Sequence, residues 1–238
     1  MEQPMKSHAL NVKNVVFHRK NKTVLDHVSL SVRAGSIIGL LGANGAGKTT
    51  LFDIVCGLRT RQSGQVSGVR ADRIAYLTQV VTVPDALKLG EMARLVYGLC
   101  AVPKNPTTGV FEGSRSRILE KFKMLWDRRA NSCSYGEKRW FVVMVILSLD
   151  ADLYLLDEPT AGVDAEYRFY LWEALARVKA QGKSVLFSTH MVTEIEHHCD
   201  GFYFLKGGSL RRFNSAAQLV TEYGGKTVEE AFVRYVTQ

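Results

Sequence analysis

The 238-residue sequence predicts an α/β fold, in which helices cover a parallel sheet, with an inserted helical lobe and an N-terminal antiparallel β subdomain. Three observations support this prediction. Short apolar runs alternate with stretches of helical periodicity along most of the chain. Residues 84–149 show helical periodicity and no strand pattern. A glycine-rich stretch at residues 42–49 lies between a short apolar run and a helical pattern.

Strands are predicted where apolar residues alternate or form short unbroken runs. Val28, Leu30 and Val32 alternate as in a half-buried strand, whereas the apolar runs that end at Leu41 and Leu156 are typical of buried parallel strands. The predicted strands cover residues 10–17, 24–32, 36–41, 73–79, 153–157, 184–188, 202–205 and 210–213. Residues 62–68 are predicted as a turn that leads into a short strand. A polar turn is expected at residues 18–22, and the last two strands should form a hairpin.

Helices are predicted where apolar residues recur every three or four positions. Ile118, Phe122 and Leu125 share one helix face in this way, and Gly182 is a typical residue to follow a helix end. The predicted helices cover residues 50–56, 86–100, 115–127, 137–149, 165–181, 192–198, 216–223 and 228–236. A loop with Pro103, Pro106 and Gly109 is expected at residues 101–113.

These elements predict a single domain that spans residues 1–238. Its core is expected to comprise residues 1–79 and 150–213, its helical lobe residues 84–149, and its C-terminal helices residues 214–238. The composition, 46% hydrophobic and 23% charged, is that of a soluble globular protein. The longest apolar run, residues 140–149, is too short to span a bilayer, and residues 1–13 lack an apolar signal segment. Any link to a membrane is therefore expected through a partner.

The net charge of +8 is concentrated in a basic cluster in the middle of the sequence. The cluster consists of Arg115, Arg117, Lys121, Lys123, Arg128, Arg129, Lys138 and Arg139. Solvated helix faces, with anionic lipid as a candidate neighbour, are favoured over a nucleic-acid surface, because interleaved aromatic residues and a known binding module are missing. No nucleic-acid partner is expected.

The four cysteines are scattered without the spacing of metal ligands, which suits a reducing cytosol. The cluster His197, His198, Cys199 and Asp200 contains residue types that bind metals. It has no second pair of ligands elsewhere, so a metal site is disfavoured there.

The glycine-rich stretch matches the phosphate-binding pattern GxxxxGK[ST] in full, and it lies between a predicted strand and a predicted helix as that pattern requires. Its glycines allow backbone N–H groups to point at an anion, and the helix N-terminus adds its positive dipole end. Lys48 can reach the β- and γ-phosphates, and the Thr49 hydroxyl can bind Mg²⁺. The predicted nucleotide-binding residues are Gly42, Ala43, Asn44, Gly45, Ala46, Gly47, Lys48, Thr49 and Thr50.

A second candidate feature is the pair of carboxylates that follows the apolar strand at residues 153–157. Asp157 and Glu158 would lie at the carboxyl end of a parallel strand, where α/β folds bind ligands. Asp157 suits Mg²⁺, and Glu158 could polarise an attacking water molecule. Taken alone, two acids after a strand could merely cap the next helix.

Together with four shorter motifs in the correct order, these stretches resemble the ATP-binding cassette (ABC) ATPases over essentially the whole chain. The phosphate-binding loop resembles their Walker A motif, and residues 153–158 resemble their Walker B strand and catalytic glutamate. The signature resemblance rests on Ser134, Tyr135, Gly136 and Glu137. The shorter matches are Gln79 at the Q-loop, Asp164 in the D-loop and His190 as the switch histidine.

The resemblance implies a P-loop nucleotide hydrolase core of the ABC type that works as a head-to-tail dimer. ATP would lie between the phosphate-binding loop of one chain and the signature of the other, where Ser134 and Gly136 would contact the γ-phosphate. Glu158 would activate water and His190 would steady the transferred phosphoryl group. Phosphates and Mg²⁺ would be held by Lys48, Thr49, Gln79 and Asp157.

Two stretches depart from the family pattern. In the signature, Cys133, Tyr135 and Glu137 replace Leu, the first Gly and Gln, although Ser134 and Gly136 remain. Activity is still expected, because cassettes similar to this one carry large residues at the third place. The family's adenine-stacking aromatic is expected near Arg19, with Phe17 and His18 beside it. The Arg19 guanidinium could stack on the base, while Phe17 could instead face the core.

The leading functional prediction is the ATPase subunit of an ABC transporter, which would act as a homodimer or heterodimer beneath integral membrane subunits. It would be peripheral, on the cytoplasmic face of the inner (plasma) membrane. The C-terminal tail slightly favours an exporter, whereas the signature also resembles that of importers of branched-chain amino acids. Two less favoured alternatives are a soluble cassette that acts on nucleic acid or the ribosome and a degenerate cassette that only binds ATP. The transported substrate cannot be predicted.

Overall fold

The computed structural model describes residues 8–100, 111 and 117–237. Nine strands in this part are β1 His8–Arg19, β2 Lys22–Arg33, β3 Ile37–Leu41, β4 Ser63–Gly68, β5 Ile74–Leu77, β6 Leu153–Asp157, β7 Ser184–Thr189, β8 Phe202–Lys206 and β9 Ser209–Phe213. The α-helices are α1 Lys48–Val55, α2 Leu89–Leu99, α3 Arg117–Trp126, α4 Tyr135–Leu147, α5 Ala165–Ala180, α6 Val192–His198, α7 Ala216–Tyr223 and α8 Val228–Thr237. Apart from Phe111, the loop predicted at 101–113 lies outside the described residues.

The strands form two sheets that match the predicted fold class. The smaller sheet is antiparallel, in the order β2-β1-β4, and the larger sheet has the order β5-β6-β7-β3-β8-β9. All neighbours in the larger sheet are parallel except the β8–β9 hairpin. Strand β3 is therefore central in the larger sheet, with its carboxyl end directed toward the phosphate-binding loop.

The apolar side chains of the larger sheet divide between two hydrophobic cores because successive side chains point to opposite faces. Ile38 and Leu40 of β3 pack on the side of the smaller sheet and helix α1. Ile37 and Leu41 pack on the opposite side, against the helices of residues 89–147 and α5. Every residue of β3, β6 and β7 is buried, as expected for parallel strands that are covered on both faces.

Three predicted helix starts are wrong by two or three residues. Helix α1 begins at Lys48 and not at residue 50. Helix α4 begins at Tyr135 and not at residue 137, because Ser134 is its N-cap: the Ser134 hydroxyl accepts a hydrogen bond from the Glu137 N–H. Helix α2 begins at Leu89 and not at residue 86, and the Glu91 carboxylate accepts a hydrogen bond from the Lys88 N–H at 2.7 Å. For α4 and α2 the cap, more than the apolar periodicity, sets the helix start.

The C-terminal helix α8 is packed against strand β8 of the larger sheet. The ring of Phe204 contacts Phe232 and Tyr235 edge to face, with centroid distances of 5.5 and 4.8 Å. The Lys206 ammonium donates a hydrogen bond of 2.9 Å to the carbonyl oxygen of Val236. Helix α8 is thus fixed to the strand that leads into Gly207 and Gly208.

None of the helices in the described ranges is long and apolar enough to cross a membrane.

An ion cluster at the amino ends of β5 and β6 leads to a prediction on pH-dependent stability. Hydrogen bonds from Arg73 and Lys183 lower the pKa of Asp152 from 3.8 to about 2. The ionised carboxylate therefore stabilises the fold above pH 3.8, and this stabilisation is lost as the pH falls from 3.8 toward 2. Because the Asp152 side chain is 43% exposed, solvent screening reduces the contribution to about 1 kcal/mol.

We expect Asp152→Asn to lower the free energy of unfolding by about 1 kcal/mol near neutral pH, and the difference from wild type to shrink below pH 4. Urea unfolding at a series of pH values measures this. The control is Asp72→Asn, whose partner Arg70 is 82% exposed, and we expect a change within about 0.5 kcal/mol. A pH-independent deficit in Asp152→Asn would contradict the prediction.

Candidate functional site

The phosphate-binding loop lines a cleft of about 660 Å³ at the carboxyl end of β3. Within the loop, Gly45 and Gly47 have φ angles of 78° and 111°, which a residue with a side chain rarely adopts. This backbone path places the N-terminus of α1, with its unpaired N–H groups and positive dipole end, at the cleft. The loop is thus shaped to bind an anion.

Lys48 is the first residue of α1, and its side chain is folded back across the loop. It is 6% exposed, and its ammonium donates hydrogen bonds to the carbonyl oxygens of Gly42 at 2.6 Å and Ala43 at 3.3 Å. The same nitrogen lies 3.2 Å from Glu158 Oε1. A buried cation is therefore held at the point where phosphate oxygens would enter.

Asp157 ends strand β6 and faces two hydroxyl groups. Its carboxylate accepts a hydrogen bond of 2.5 Å from the Thr49 hydroxyl and a second one from Ser188, which lies on the adjacent strand β7. The parallel register pairs Asp157 with Ser188, which accounts for this second contact. Sequence analysis did not identify Ser188, since its role depends on strand order.

Glu158 is 5% exposed and has a φ angle of 53°, which is uncommon for a residue other than glycine. Its N–H donates to the Ser188 hydroxyl at 3.0 Å. One carboxylate oxygen, Oε2, is 2.7 Å from His190 Nδ1. The other, Oε1, is buried and lies 3.2 Å from the Lys48 ammonium, with no hydrogen bond from the described residues.

The cleft brings together most of the predicted nucleotide-binding and catalytic residues. Those that line it are Arg19, Ala43, Asn44, Gly45, Ala46, Gly47, Lys48, Thr49, Thr50, Gln79, Asp157 and Glu158. Gly42 and His190 line a neighbouring cavity of about 390 Å³ between the loop and helix α8. His190 nevertheless reaches the cleft through its contact with Glu158.

Several lining residues were not identified from the sequence. They are Lys22, Thr23, Val24, Gly207 and Gly208. The Asp26 N–H donates to the Gly208 carbonyl at 2.9 Å, so the β8–β9 turn lies against β2 at the edge of the cleft. The Gly–Gly pair was predicted only as a hairpin turn, because its approach to β2 is a long-range contact.

Of the candidates for the adenine contact, the structure places Arg19 at the cleft and Phe17 in the core. Phe17 is 7% exposed and packs in the core between the two sheets. Its ring is also covered by the Arg59 guanidinium at 5.3 Å. His18 bonds to the Thr23 hydroxyl through Nδ1 at 3.0 Å. Arg19 is thus the candidate that lines the cleft.

The predicted signature residues lie outside the cleft. Ser134 caps α4, and its exposed hydroxyl keeps its own hydrogen available to donate, since it accepts from the Glu137 N–H at 3.1 Å. The Glu137 carboxylate is paired with Arg128 at 2.7 Å. Burial acts to raise the pKa of Glu137, but the hydrogen bonds from the Ser134 N–H and Arg128 outweigh it and lower the pKa below its usual value.

The signature and the D-loop are packed directly on each other within the chain. A Cβ atom on Gly136 would lie 2.6 Å from the Gly162 carbonyl oxygen. The Tyr135 ring covers Gly162 on the other side. Asp164 is turned away to cap α5 by accepting a hydrogen bond of 3.0 Å from the Tyr167 N–H. A movement of the signature must therefore move the D-loop.

This contact leads to a prediction for Gly136→Ala. The added methyl group would displace the Gly162 backbone, and we expect the ATPase rate to fall about 100-fold, as for other sub-ångström losses of catalytic geometry. The clash with backbone atoms should also lower the free energy of unfolding by about 1–3 kcal/mol, partly offset by the preference of a helix for alanine over glycine, so the rate is compared per folded molecule. The measurements are phosphate release and thermal unfolding.

The matched control is Gly98→Ala in helix α2, where an added Cβ would meet no atom within 4 Å. It should keep wild-type ATPase activity with equal or higher stability. Equal activity of the two variants would contradict the role assigned to the Gly136–Gly162 contact.

One residue of the predicted basic cluster is buried and lies behind the site. Arg139 is 0% exposed, so its assignment to a solvated helix face is wrong. Its guanidinium donates hydrogen bonds to the carbonyl oxygens of Gln79, Asp157 and Glu158. The clue in the sequence is its position within the apolar helix that follows the signature.

The side chains of the disfavoured metal cluster at residues 197–200 have other contacts. Asp200 accepts hydrogen bonds from Lys179 at 2.5 Å and from the Ile37 N–H at 2.9 Å. His198 stacks on Trp172 with a centroid distance of 4.0 Å, and burial lowers the pKa of its imidazole. Among the described residues there is no group of three side chains suited to hold a metal ion.

The chain is similar in sequence to proteins of a known family. The family model described as ABC transporter matches residues 25–161. Protein McbF of Escherichia coli is 34% identical over 201 residues, which cover 83% of this chain and 81% of that protein. The Nod factor export ATP-binding protein I of Neorhizobium galegae is 33% identical over 235 residues, which cover 94% of this chain and 67% of that protein.

Solved structures show the same fold. The ATP-binding subunit of an ABC transporter superposes with a TM-score of 0.79 at 25% identity and covers 97% of this chain and 100% of that one. A dimeric structure of a bacterial ABC transporter cassette has a TM-score of 0.71 at 22% identity, with 86% and 98% of the two chains covered.

Proposed function

We propose, from the premise that this chain belongs to the ABC transporter family, that it hydrolyses ATP at composite sites of a head-to-tail dimer. The chain is an ATP-binding subunit and an ATPase. One observation carries the proposal of a composite site: Lys48, Thr49, Asp157 and Glu158 line one cleft, while the exposed Ser134 hydroxyl of the signature is not part of it. The signature would complete the cleft of a second chain.

In this dimer each chain contributes two sets of groups. The loop N–H groups and Lys48 bind the β- and γ-phosphates, with Arg19 at the edge of the cleft as the candidate base contact. The Glu158 carboxylate, whose Oε1 lies 3.2 Å from the Lys48 ammonium, accepts the proton of the attacking water. His190 orients Glu158 through Oε2.

The oxygen groups around Asp157 fit Mg²⁺. A hard divalent cation prefers carboxylate, hydroxyl and amide oxygens, and Thr49, Asp157 and Gln79 supply these at the cleft. Bound there, Mg²⁺ would neutralise phosphate charge.

Integral membrane subunits are the proposed partners of the surface beside Gln79 and helix α2. Exposed apolar residues on this part of the chain support the proposal: Val80 is 74%, Leu95 60% and Leu99 88% exposed. We assign helix α2, with Leu95 and Leu99, to a helical lobe of residues 84–149, inserted between core segments 1–79 and 150–213 and followed by C-terminal helices at 214–238. The subunit would be peripheral, on the cytoplasmic face of the membrane.

Export is the proposed direction of transport. It is supported by relatives named for the export of Nod factor and for probable multidrug transport. The same names support a transporter role over a soluble cassette that acts on nucleic acid.

A mixing experiment tests the composite site. Lys48→Ala inactivates the phosphate-binding half of a site and Ser134→Ala the signature half, so each variant alone should lose about 100-fold in ATPase rate. A head-to-tail heterodimer of the two variants contains one intact site. We therefore expect the equimolar mixture to hydrolyse ATP faster than either variant alone.

The control mixture combines Lys48→Ala with Glu158→Gln, two variants of the same half-site. Each site of that heterodimer carries one defect, so its activity should stay at the level of the separate variants. Failure of the first mixture to exceed the control mixture would contradict a composite site.

A further inference from the structure

The Arg139 side chain is a buried cation that does not line the nucleotide cleft. It is 0% exposed and absent from the cleft lining. Its acceptors in the described part of the chain are backbone carbonyl oxygens and one hydroxyl. The carbonyl contacts are Glu158 O at 3.0 Å from Nε and 2.6 Å from Nη2, Asp157 O at 2.7 Å, and Gln79 O at 2.8 Å. Burying a charged guanidinium is unfavourable unless it is hydrogen-bonded, and these bonds compensate for its lost hydration.

Two of these bonds fix the backbone of the catalytic glutamate. Glu158 has a left-handed backbone, with a φ angle of 53°, that must be stabilised by its surroundings. The Glu158 N–H donates a hydrogen bond to the Ser188 hydroxyl, and the Glu158 carbonyl oxygen accepts one from Arg139. The peptide is therefore held from both sides, in the orientation that directs the carboxylate at Lys48 and His190.

The same guanidinium belongs to the signature helix. Arg139 lies one turn after the N-terminus of α4, and its Nη1 is 3.4 Å from the hydroxyl of Tyr135, which is packed on Gly162. In the proposed dimer, the N-terminus of α4 faces the nucleotide that is bound on the other chain. Arg139 thus connects the N-terminus of α4, which would contact the nucleotide on the other chain, to Glu158, which acts on the nucleotide of its own chain.

We propose that Arg139 is a positioning residue that transmits a movement of the signature helix to Glu158 and Gln79, and thereby couples the two ATP sites of a dimer. The inference rests on the proposed head-to-tail dimer. When a γ-phosphate pulls on the N-terminus of α4, Arg139 shifts with the helix and carries the backbone of Glu158 with it. Hydrolysis at one site is then faster when the other site is occupied, although an intact site still turns over alone.

The test compares Arg139→Lys with wild type. Lysine keeps the charge but cannot reach three carbonyl oxygens with a planar fork. We expect kcat to fall about 10- to 100-fold through lost alignment of Glu158, and the Hill coefficient for ATP, above 1 in wild type, to approach 1. The affinity of the monomer for a fluorescent ATP analogue should change less than about 3-fold, since Arg139 does not line the cleft.

Two further variants separate coupling from folding. Lys138→Met removes the neighbouring cation of the same helix and should leave kcat and the Hill coefficient unchanged. Tyr135→Phe removes only the hydroxyl that contacts Arg139, on a ring that is 52% exposed, so it should fold even if Arg139→Lys does not. It should lower the Hill coefficient with a smaller fall in kcat.

The outcomes distinguish this inference from the proposed dimer. If the Lys48→Ala and Ser134→Ala mixture recovers activity but Arg139→Lys and Tyr135→Phe keep the wild-type Hill coefficient, the coupling role of Arg139 is wrong and the composite site stands. If Arg139→Lys lowers only thermal stability, with kcat per folded molecule unchanged, Arg139 is structural. A wild-type Hill coefficient of 1 for ATP would overturn the coupling alone. If the mixture also recovers no activity, both proposals are wrong.

Discussion

Replacing Glu158 by glutamine is expected to lower the ATPase rate about 10²–10⁴-fold, the contribution of a positioned general base. The amide has nearly the same shape but cannot accept a proton from water at Oε1, the oxygen that accepts no hydrogen bond from the described residues. ATP binding should persist because Lys48 and the loop are intact. The variant should therefore accumulate as a dimer with ATP and remain a monomer with ADP.

Phosphate release measures the rate, and light scattering measures molar mass with each nucleotide. The control is Glu196→Gln on the exposed side of α6, which should match wild type in rate and mass. Wild-type hydrolysis by Glu158→Gln would remove Glu158 as the base. A monomer under both conditions would contradict dimerisation by the isolated chain, and ATPase assays with the membrane subunits present would then test whether those subunits are needed.

Replacing Lys48 by alanine is expected to weaken ATP binding about 100-fold. The ammonium is 6% exposed and is the buried cation closest to Glu158 Oε1. Its loss removes charge-assisted bonds to phosphate and leaves the Glu158 carboxylate facing the phosphates, which together cost about 3 kcal/mol. Titration with a fluorescent ATP analogue measures the affinity.

A second readout of Lys48→Ala is the rise of the unfolding temperature with ATP. Ligand binding stabilises the folded chain by mass action, so the rise should be present in wild type and nearly absent in the variant. Lys22→Ala is the matched control, because Lys22 lines the same cleft but is exposed. Equal losses in both variants would indicate that Lys48 acts only through the general charge of the cleft.

The sequence predicted the parts of the site that are built from neighbouring residues. The phosphate-binding loop is one uninterrupted segment, and Asp157 and Glu158 follow directly from a fully apolar strand. The order of strands and helices was predicted for the same reason, since apolar alternation and helical periodicity are local signals. The fold class and the family are both confirmed.

The parts that could not be predicted depend on contacts between distant segments. The Ser188–Asp157 bond exists because β6 and β7 are neighbours in register. The Gly208–Asp26 bond brings the β8–β9 turn to β2. Arg139 has the same charge as its exposed neighbours, and only the packing of α4 against the Walker B strand gives it buried partners. Periodicity within one helix cannot show which acceptors lie across from it.

The central place of β3 also has a consequence for protein synthesis. Its two neighbours, β7 and β8, begin 147 and 165 residues after the start of β3, which corresponds to a delay of roughly 10–30 s at common elongation rates. During that interval both edges of an apolar strand are unpaired, a condition that promotes aggregation. Nascent chains should therefore depend on chaperone protection until β8 has emerged, and the phosphate-binding loop acquires its final support only then.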